Sequence, residues 1–326
     1  MTRNIIVLLF AIITFTHCKV QNNTEAEDIG IKVPTEWIEK LRTLDYTKNN
    51  RSLLIEFEKF IGSDTLSDSK AYYKNLGMLN PLFVNLDDDP LDELIGLFGW
   101  SDSDMTLAVF KNVNDSWFLI YFEPIYMFYV APELIVANNF SANKTFYIRQ
   151  LYHRGSGVYC DAYHFYKIIN NKVYPCLSLI NKAQIFGWGV FLNQKVEMEF
   201  SFNCANADEL WVMYDYNFFP GAVYENDVPW EGHEDIPFVK GSNGINYSWD
   251  STTFSYQPQF YNRQDALTED KIACFGDFGN DTLFIKAFDY EIKQTLEKGT
   301  DKQKKILKIY LDFVEKEQKA ISSTKE

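Results

Sequence analysis

The sequence predicts a mainly β fold, α+β overall. It reads as an antiparallel meander, with a propeller-like arrangement as one form of it, framed by short N-terminal helices and a C-terminal helical pair. Three observations carry this expectation. The 326 residues include 20 Tyr and 27 Phe, and aromatic side chains pack well on a pleated surface. The stretch Lys195-Val196-Glu197-Met198-Glu199-Phe200-Ser201-Phe202-Asn203 alternates polar and apolar residues throughout, which is the period of a half-buried strand. From about residue 79 to residue 288 no long helical period interrupts the strand-like runs, which argues against a doubly wound parallel sheet.

The chain opens with Arg3 and an unbroken apolar run over residues 5–13, then Thr14, Thr16, His17 and Cys18. A spanning helix needs about 20 apolar residues, so residues 1–17 read as an export signal rather than a permanent span. Residues 19–29 are polar and acidic, as suits a solvated tether. Residues 30–78 form the N-terminal helical segment: Trp37, Ile38, Leu41 and Leu44, then Leu53, Leu54, Phe57 and Phe60, recur at helical spacing. Residues 79–288 form the β-rich domain, with strands expected over 105–113, 116–122, 158–169, 195–203, 210–218 and 283–288. Turns are expected at Asn114-Asp115, Gly155-Ser156-Gly157, Asn170-Asn171 and Asn243-Gly244. Residues 289–326 return to helical spacing with a break near Gly299, and Ile306, Tyr310, Phe313 and Val314 share one face.

Charge bounds the partners. With 31 Lys and Arg against 45 Asp and Glu, the net charge is −14, so a phosphate backbone is repelled and nucleic acid is not an expected partner. The cysteines are Cys18, Cys160, Cys176, Cys204 and Cys274, with no CxxC spacing. If Cys18 is set aside, an even four remain, either as up to two disulfides or as buried thiols.

Two resemblances add to this reading. Phe15-Thr16-His17-Cys18 resembles the lipobox of bacterial lipoproteins. That implies acylation of Cys18, attachment to a membrane through lipid and a location at the bacterial cell envelope, facing the periplasm or the cell surface. The turn Asn85-Leu86-Asp87-Asp88-Asp89-Pro90-Leu91-Asp92-Glu93-Leu94 resembles the aspartate-rich turn of FG-GAP or VCBS-type repeats of integrin-like proteins. The resemblance implies a calcium site with Asn85, Asp87, Asp89 and Glu93 at the ligand positions, oxygen donors being what a hard cation selects. Weaker echoes lie at 203–210 and 276–283, and 247–254 is similar to the Trp-containing hairpins of those repeats.

The remaining candidates for chemistry are few. Residues 224–236 form an acidic loop in which Tyr224, Glu225, Asp227, Trp230, His233 and Glu234 could meet a ligand, the Trp by stacking on sugar rings and the acids by binding hydroxyls or a metal. His153 and His164 sit in strand-like aromatic surroundings and read as packed residues, with no nucleophile motif beside them. Glu197 and Glu199 fall on the solvent face of one strand, so their spacing does not make a glycosidase pair. The function expected is therefore a cell-envelope lipoprotein with a non-catalytic binding or structural role toward an unknown protein or glycan. The alternatives are a secreted or envelope glycan-active hydrolase, or an inhibitor or immunity protein with an acidic docking surface.

Overall fold

In the computed structural model the described residues are 29–45, 50–62, 78–87, 89–101, 104–125, 133–137, 144–155, 157–186, 192–203, 208–221, 236–277 and 280–323. Hairpins organise most of the strands. A first meander runs through β2 (Met78–Val84), β3 (Glu93–Ser101), β4 (Asp104–Val113) and β5 (Ser116–Ile125), and β1 (Ile31–Val33) pairs with β5 to complete a five-stranded sheet in the order β1-β5-β4-β3-β2. A second meander, from β6 (Glu133–Val136) through β7 (Thr145–Gly155), β8 (Val158–Ile169), β9 (Lys172–Ile185), β10 (Leu192–Phe202), β11 (Glu209–Pro220) and β12 (Val239–Asp250) to β13 (Ser255–Gln259), keeps sequence order across an eight-stranded sheet. All the strand pairs are antiparallel.

Local chemistry sets the turns. Asn114 and Asp115 have φ of 52° and 59°, and Asn170 and Asn171 have φ of 51° and 61°. These are the left-handed pairs that a two-residue hairpin needs, and Asn and Asp tolerate them best after glycine. At the β7–β8 turn Gly157 has φ of 80°, and a Cβ there would lie 2.0 Å from the Phe186 carbonyl oxygen, so only glycine fits.

The layers follow from which faces are apolar. Helices α1 (Thr35–Arg42) and α2 (Arg51–Ile61) bring Trp37, Ile38, Leu41, Leu54 and Phe57 onto one face of the smaller sheet, against Leu94, Phe98, Trp100, Phe110 and Leu119. The opposite face of that sheet, with Ile95, Leu97, Leu107 and Val109, meets Phe146, Ile148, Tyr166 and Ile168 of the larger sheet. Burial on both faces explains why β3 reads as a nearly continuous apolar run rather than an alternating one. The far face of the larger sheet, through Val196, Val212, Tyr214, Tyr216 and Phe218, is covered by the C-terminal helices α3 (Glu269–Ala273), α4 (Asp281–Ala287), α5 (Asp289–Lys298) and α6 (Asp301–Ser323). The order is thus helices, sheet, sheet, helices: stacked layers rather than blades set round an axis. Pro81 lies on the edge strand β2 and Pro258 on the edge strand β13, where a missing N–H discourages further strand pairing.

Four local expectations are corrected. Residues 283–288 are not a strand; Asp281–Ala287 is helix α4, capped by the Asn280 side chain, which accepts from the Leu283 N–H at 3.2 Å. Its four-residue spacing sets Phe284 and Phe288 together on Phe218, at ring distances of 4.7 and 5.0 Å, and a run of that length fits either period until its packing is known. The echo at 276–283 accordingly leads into a helix. Asn243-Gly244 is not a turn but the interior of β12, opposite Tyr214 and Met213. The N-terminal helical segment also contains a strand, since Ile31–Val33 pairs with Leu119, Phe118 and Trp117. The strands expected over 105–113, 116–122, 158–169, 195–203 and 210–218 are present, as are α1, α2 and the α5–α6 pair that parts at Gly299. Helix α3 is a further helix inside the stretch read as strands, and residues 204–207 of the echo at 203–210 lie outside the described residues.

Candidate functional site

The Asn85–Leu94 turn joins β2 to β3, and it does gather acidic side chains. One carboxylate oxygen from each of Asp87, Asp89 and Glu93 lies within 4.8 Å of the others. The group they surround is the ammonium of Lys111, which reaches them from β4. Its Nζ donates to Asp87, to Asp89 Oδ2 at 2.6 Å and to Glu93 Oε1 at 3.0 Å. Lys111 is only 3% exposed and Glu93 is fully buried, so each carboxylate oxygen turned inward is answered by this one internal cation.

The remaining polar groups of the turn are used in closing it. Glu93 Oε2 accepts from the Leu86 N–H at 2.6 Å, Asp87 Oδ1 from the Asp89 N–H at 3.1 Å, and Asp89 Oδ1 from the Leu91 N–H at 2.8 Å. Asn85 does not supply a ligand oxygen to the cluster by these bonds; its side-chain amide donates to the carbonyls of Asp89 and Leu91, the latter at 3.0 Å. Lys144 Nζ donates to the Asn85 carbonyl at 2.8 Å. Asp87, Asp89 and Glu93 therefore come together as the motif implies, but the arrangement does not fit a calcium ion, because a lysine already holds its centre.

Electrostatics agree with the geometry. Burial alone would lower the Lys111 pKa, yet the hydrogen bonds it donates to Asp87, Asp89 and Glu93 raise it above the ordinary lysine value. Burial would raise Asp89, but Lys111 and the Leu91 N–H outweigh it and hold that carboxyl low. Burial wins at Glu93, whose pKa is raised despite Leu86 and Lys111. A raised lysine contributes stability that is intact below its unfolded pKa of about 10.4 and is lost as pH climbs beyond it. The share of alkaline destabilisation due to Lys111 should accordingly set in above about pH 10. Lys111→Arg should remove that share from a urea-midpoint profile while leaving the loss from the buried thiols of Cys160, Cys176 and Cys274, which begins near about pH 8.5.

A second polar cluster lies where β5 crosses the larger sheet. His164 on β8 is bonded on both ring nitrogens, to Ser178 Oγ on β9 at 2.8 Å through Nδ1 and to the Tyr152 hydroxyl through Nε2. Nearby, Tyr121 and Tyr166 both donate to Glu123 Oε2, the latter at 3.3 Å. Sequence reasoning missed Ser178, which lies fourteen residues from His164 and comes beside it only through strand pairing. Burial lowers the His164 pKa to about 4. An imidazole that weak is poorly matched to take a serine proton near neutral pH, and what the three side chains form is a hydrogen-bonded bridge across strands β7, β8 and β9.

This histidine makes an acid limb. Its native pKa of about 4 lies below the ordinary 6.5, so from about pH 6.5 downward the unfolded chain takes up a proton that the native chain refuses, and stability falls by about 2–3 kcal/mol by pH 4.5. Urea midpoints at pH 7 and 4.5 measure this drop. His164→Gln, which can still bond to both neighbours, should shrink it, and an unchanged drop would place the acid sensitivity elsewhere.

The other sequence candidates fall out as follows. Glu197 and Glu199 are on the solvent face, Glu197 paired with Lys182 at 3.1 Å. Cys160, Cys176 and Cys274 are buried free thiols, with burial pushing all three up to about 12. This is the thiol alternative for those three, and Cys204 lies outside the described residues. Cys18 and the loop candidates Tyr224, Glu225, Asp227, Trp230, His233 and Glu234 also lie outside the described residues. Among the described residues no helix is long and apolar enough to cross a membrane. No family model, curated protein or solved structure matches the chain.

Proposed function

We propose that this protein is a cell-envelope lipoprotein whose folded part binds a partner and carries out no chemistry of its own. The observation that carries the reading is the order of the N-terminal sequence: Arg3, the apolar residues 5–13, Cys18 and then the polar residues 19–29, ahead of a layered domain whose first strand begins at Ile31. That order suits export, acylation and display on a tether. Support for the non-catalytic part is the closure of both titratable clusters upon themselves, with Lys111 inside the acidic turn and His164 held neutral between Tyr152 and Ser178.

Expression with the native leader, followed by intact mass and detergent partitioning, tests the anchor. The wild type is expected to carry acyl mass on Cys18 and to enter the detergent phase, and Cys18→Ala is expected to lose both. A wild type that is freely soluble and unacylated would overturn the lipoprotein reading. A ligand contact through the 224–234 loop is part of the same proposal, and unchanged ligand binding by Trp230→Ala would count against that loop.

A further inference from the structure

We infer that the open face of the larger sheet around Trp211 is a binding platform for a neutral, β-linked oligosaccharide. The inference rests on the binding role proposed above and adds the ligand class and a site. Alternation along β11 sends Leu210, Val212, Tyr214 and Tyr216 into the core beneath the C-terminal helices and places Trp211, Met213 and Asp215 on the opposite face. The smaller sheet packs on that opposite face only over β6, β7, β8 and β9, through Leu134, Phe146, Ile148, Tyr166 and Val173. Over β10 to β13 that face is buried at one end, where Asn193 is 3% exposed and Phe186 packs on Phe219 at 5.5 Å, and it opens toward the other end, where Trp211 is 40% exposed.

The surroundings of the ring suit a sugar better than a protein. Trp211 stands between Ser201 on β10 and Asn246 on β12, with Gln259 on β13 next in the same row. Glu199 lies in the adjoining row, opposite Met213, and Ser201, Asn246, Gln259 and Glu199 are all exposed. The third member of that row is Gly244, where a Cβ would come within 3.1 Å of Trp211 Nε1. The indole therefore lies against a strand position without a side chain.

An exposed indole offers an apolar face to the C–H face of a pyranose ring, while flanking amides, hydroxyls and carboxylates can bond to vicinal sugar hydroxyls. A β-linked sugar with equatorial substituents presents such a flat C–H face, and its repeat can extend along the row from Ser201 to Gln259. One ring among amides and acids is too small an apolar patch for a stable protein interface. Glu199, Asp215 and the net charge of −14 weigh against an anionic polymer.

The test uses the mature full-length chain with cellohexaose as the calorimetric probe, and polygalacturonate as the anionic comparison in affinity electrophoresis beside hydroxyethyl cellulose. Wild type is expected to bind cellohexaose and to be retarded by the neutral polymer only. Trp211→Ala should weaken binding about tenfold or more, the scale of one lost stacking contact, and Asn246→Ala severalfold, both with unchanged urea midpoints because these side chains lie outside the core. No binding of cellohexaose by wild type, full binding by a folded Trp211→Ala variant, or stronger retardation by polygalacturonate would each overturn the inference. If Trp211→Ala proves unstable, the Asn246→Ala affinity decides the matter. Failure here leaves the envelope reading standing, because acylation of Cys18 is read separately by mass and detergent partitioning.

Discussion

Lys111→Met is expected to destabilise the protein by about 3–5 kcal/mol, the cost of removing one partner from a buried ion pair. The side chain is of similar length, so packing along the stem is largely kept and the loss reports the charge. Without the ammonium, Asp87, Asp89 and Glu93 converge with nothing between them, and Glu93 is fully buried. The pH dependence should change in a definite direction. Burial raises the Glu93 pKa, and removal of the lysine raises it further, so the native variant binds a proton that the unfolded chain releases near its ordinary value of about 4.3. The cost of Lys111→Met relative to wild type should therefore shrink as pH falls from 7 toward 5, the His164 limb being common to both proteins and cancelling in the difference. Chemical denaturation at several pH values checks this, and a cost below about 1 kcal/mol, the range of exposed pairs, would mean that the cage is solvated. Calcium supplies a second arm. Added to wild type it should leave the unfolding midpoint where it was, since Lys111 already fills the space among the carboxylates, and a stabilising shift would refute that.

Trp37→Ala should cost about 3–5 kcal/mol, as large-to-small changes of buried aromatics do. Trp37 is 1% exposed and sits among Phe57, Phe60, Phe98 and Phe110, with ring distances between 5.2 and 6.3 Å. Its Nε1 donates to the Leu53 carbonyl at 3.0 Å, so truncation both opens a cavity and removes the donor that serves this buried oxygen. Trp37→Phe, which keeps most of the apolar area, should cost roughly half as much. Because Trp37 lies on α1 and its neighbours lie on α2, β3 and β4, the loss should be global: the unfolding midpoint by tryptophan fluorescence and by far-UV circular dichroism should move together. If only the helical signal were lost early, α1 and α2 would be an accessory layer rather than part of the smaller sheet's core.

Much of the local structure was legible because it depends on nearest neighbours. The unbroken alternation of 195–203 places Val196 and Met198 inward and Glu197 and Glu199 outward, as β10 does. Asn114-Asp115 and Asn170-Asn171 announce hairpins through their tolerance of positive φ. The helices around Trp37 and Phe57 and the pair divided at Gly299 follow from apolar spacing. The reading failed where two local signals were in balance and packing decided between them. Asn243-Gly244 carries the composition of a turn, yet its place opposite Met213 and beside the Trp211 ring makes it strand. The run 283–288 is too short for its period to be read, and the aromatic face of Phe218 and Tyr216 selects a helix that delivers Phe284 and Phe288 together.

The site followed the same division. That Asp87, Asp89 and Glu93 would crowd a cation could be read from their spacing in one turn, because residues that close in sequence cannot separate far. Which cation they hold could not, since Lys111 arrives from β4, eighteen residues beyond Glu93, and strand register alone brings it there. Ser178 and His164 meet for the same reason, across the β8–β9 pair. By itself the sequence determined the β-rich class, the helices around Trp37 and Phe57, the C-terminal pair, the hairpins at Asn114-Asp115 and Asn170-Asn171 and the net charge, all of which rest on composition and short-range geometry. Only the tertiary structure decided that two sheets stack between helical layers, that a lysine closes the acidic turn and that Trp211 stands on an open face. Those outcomes depend on side chains far apart in the chain competing for the same space, and short-range spacing carries no record of that competition.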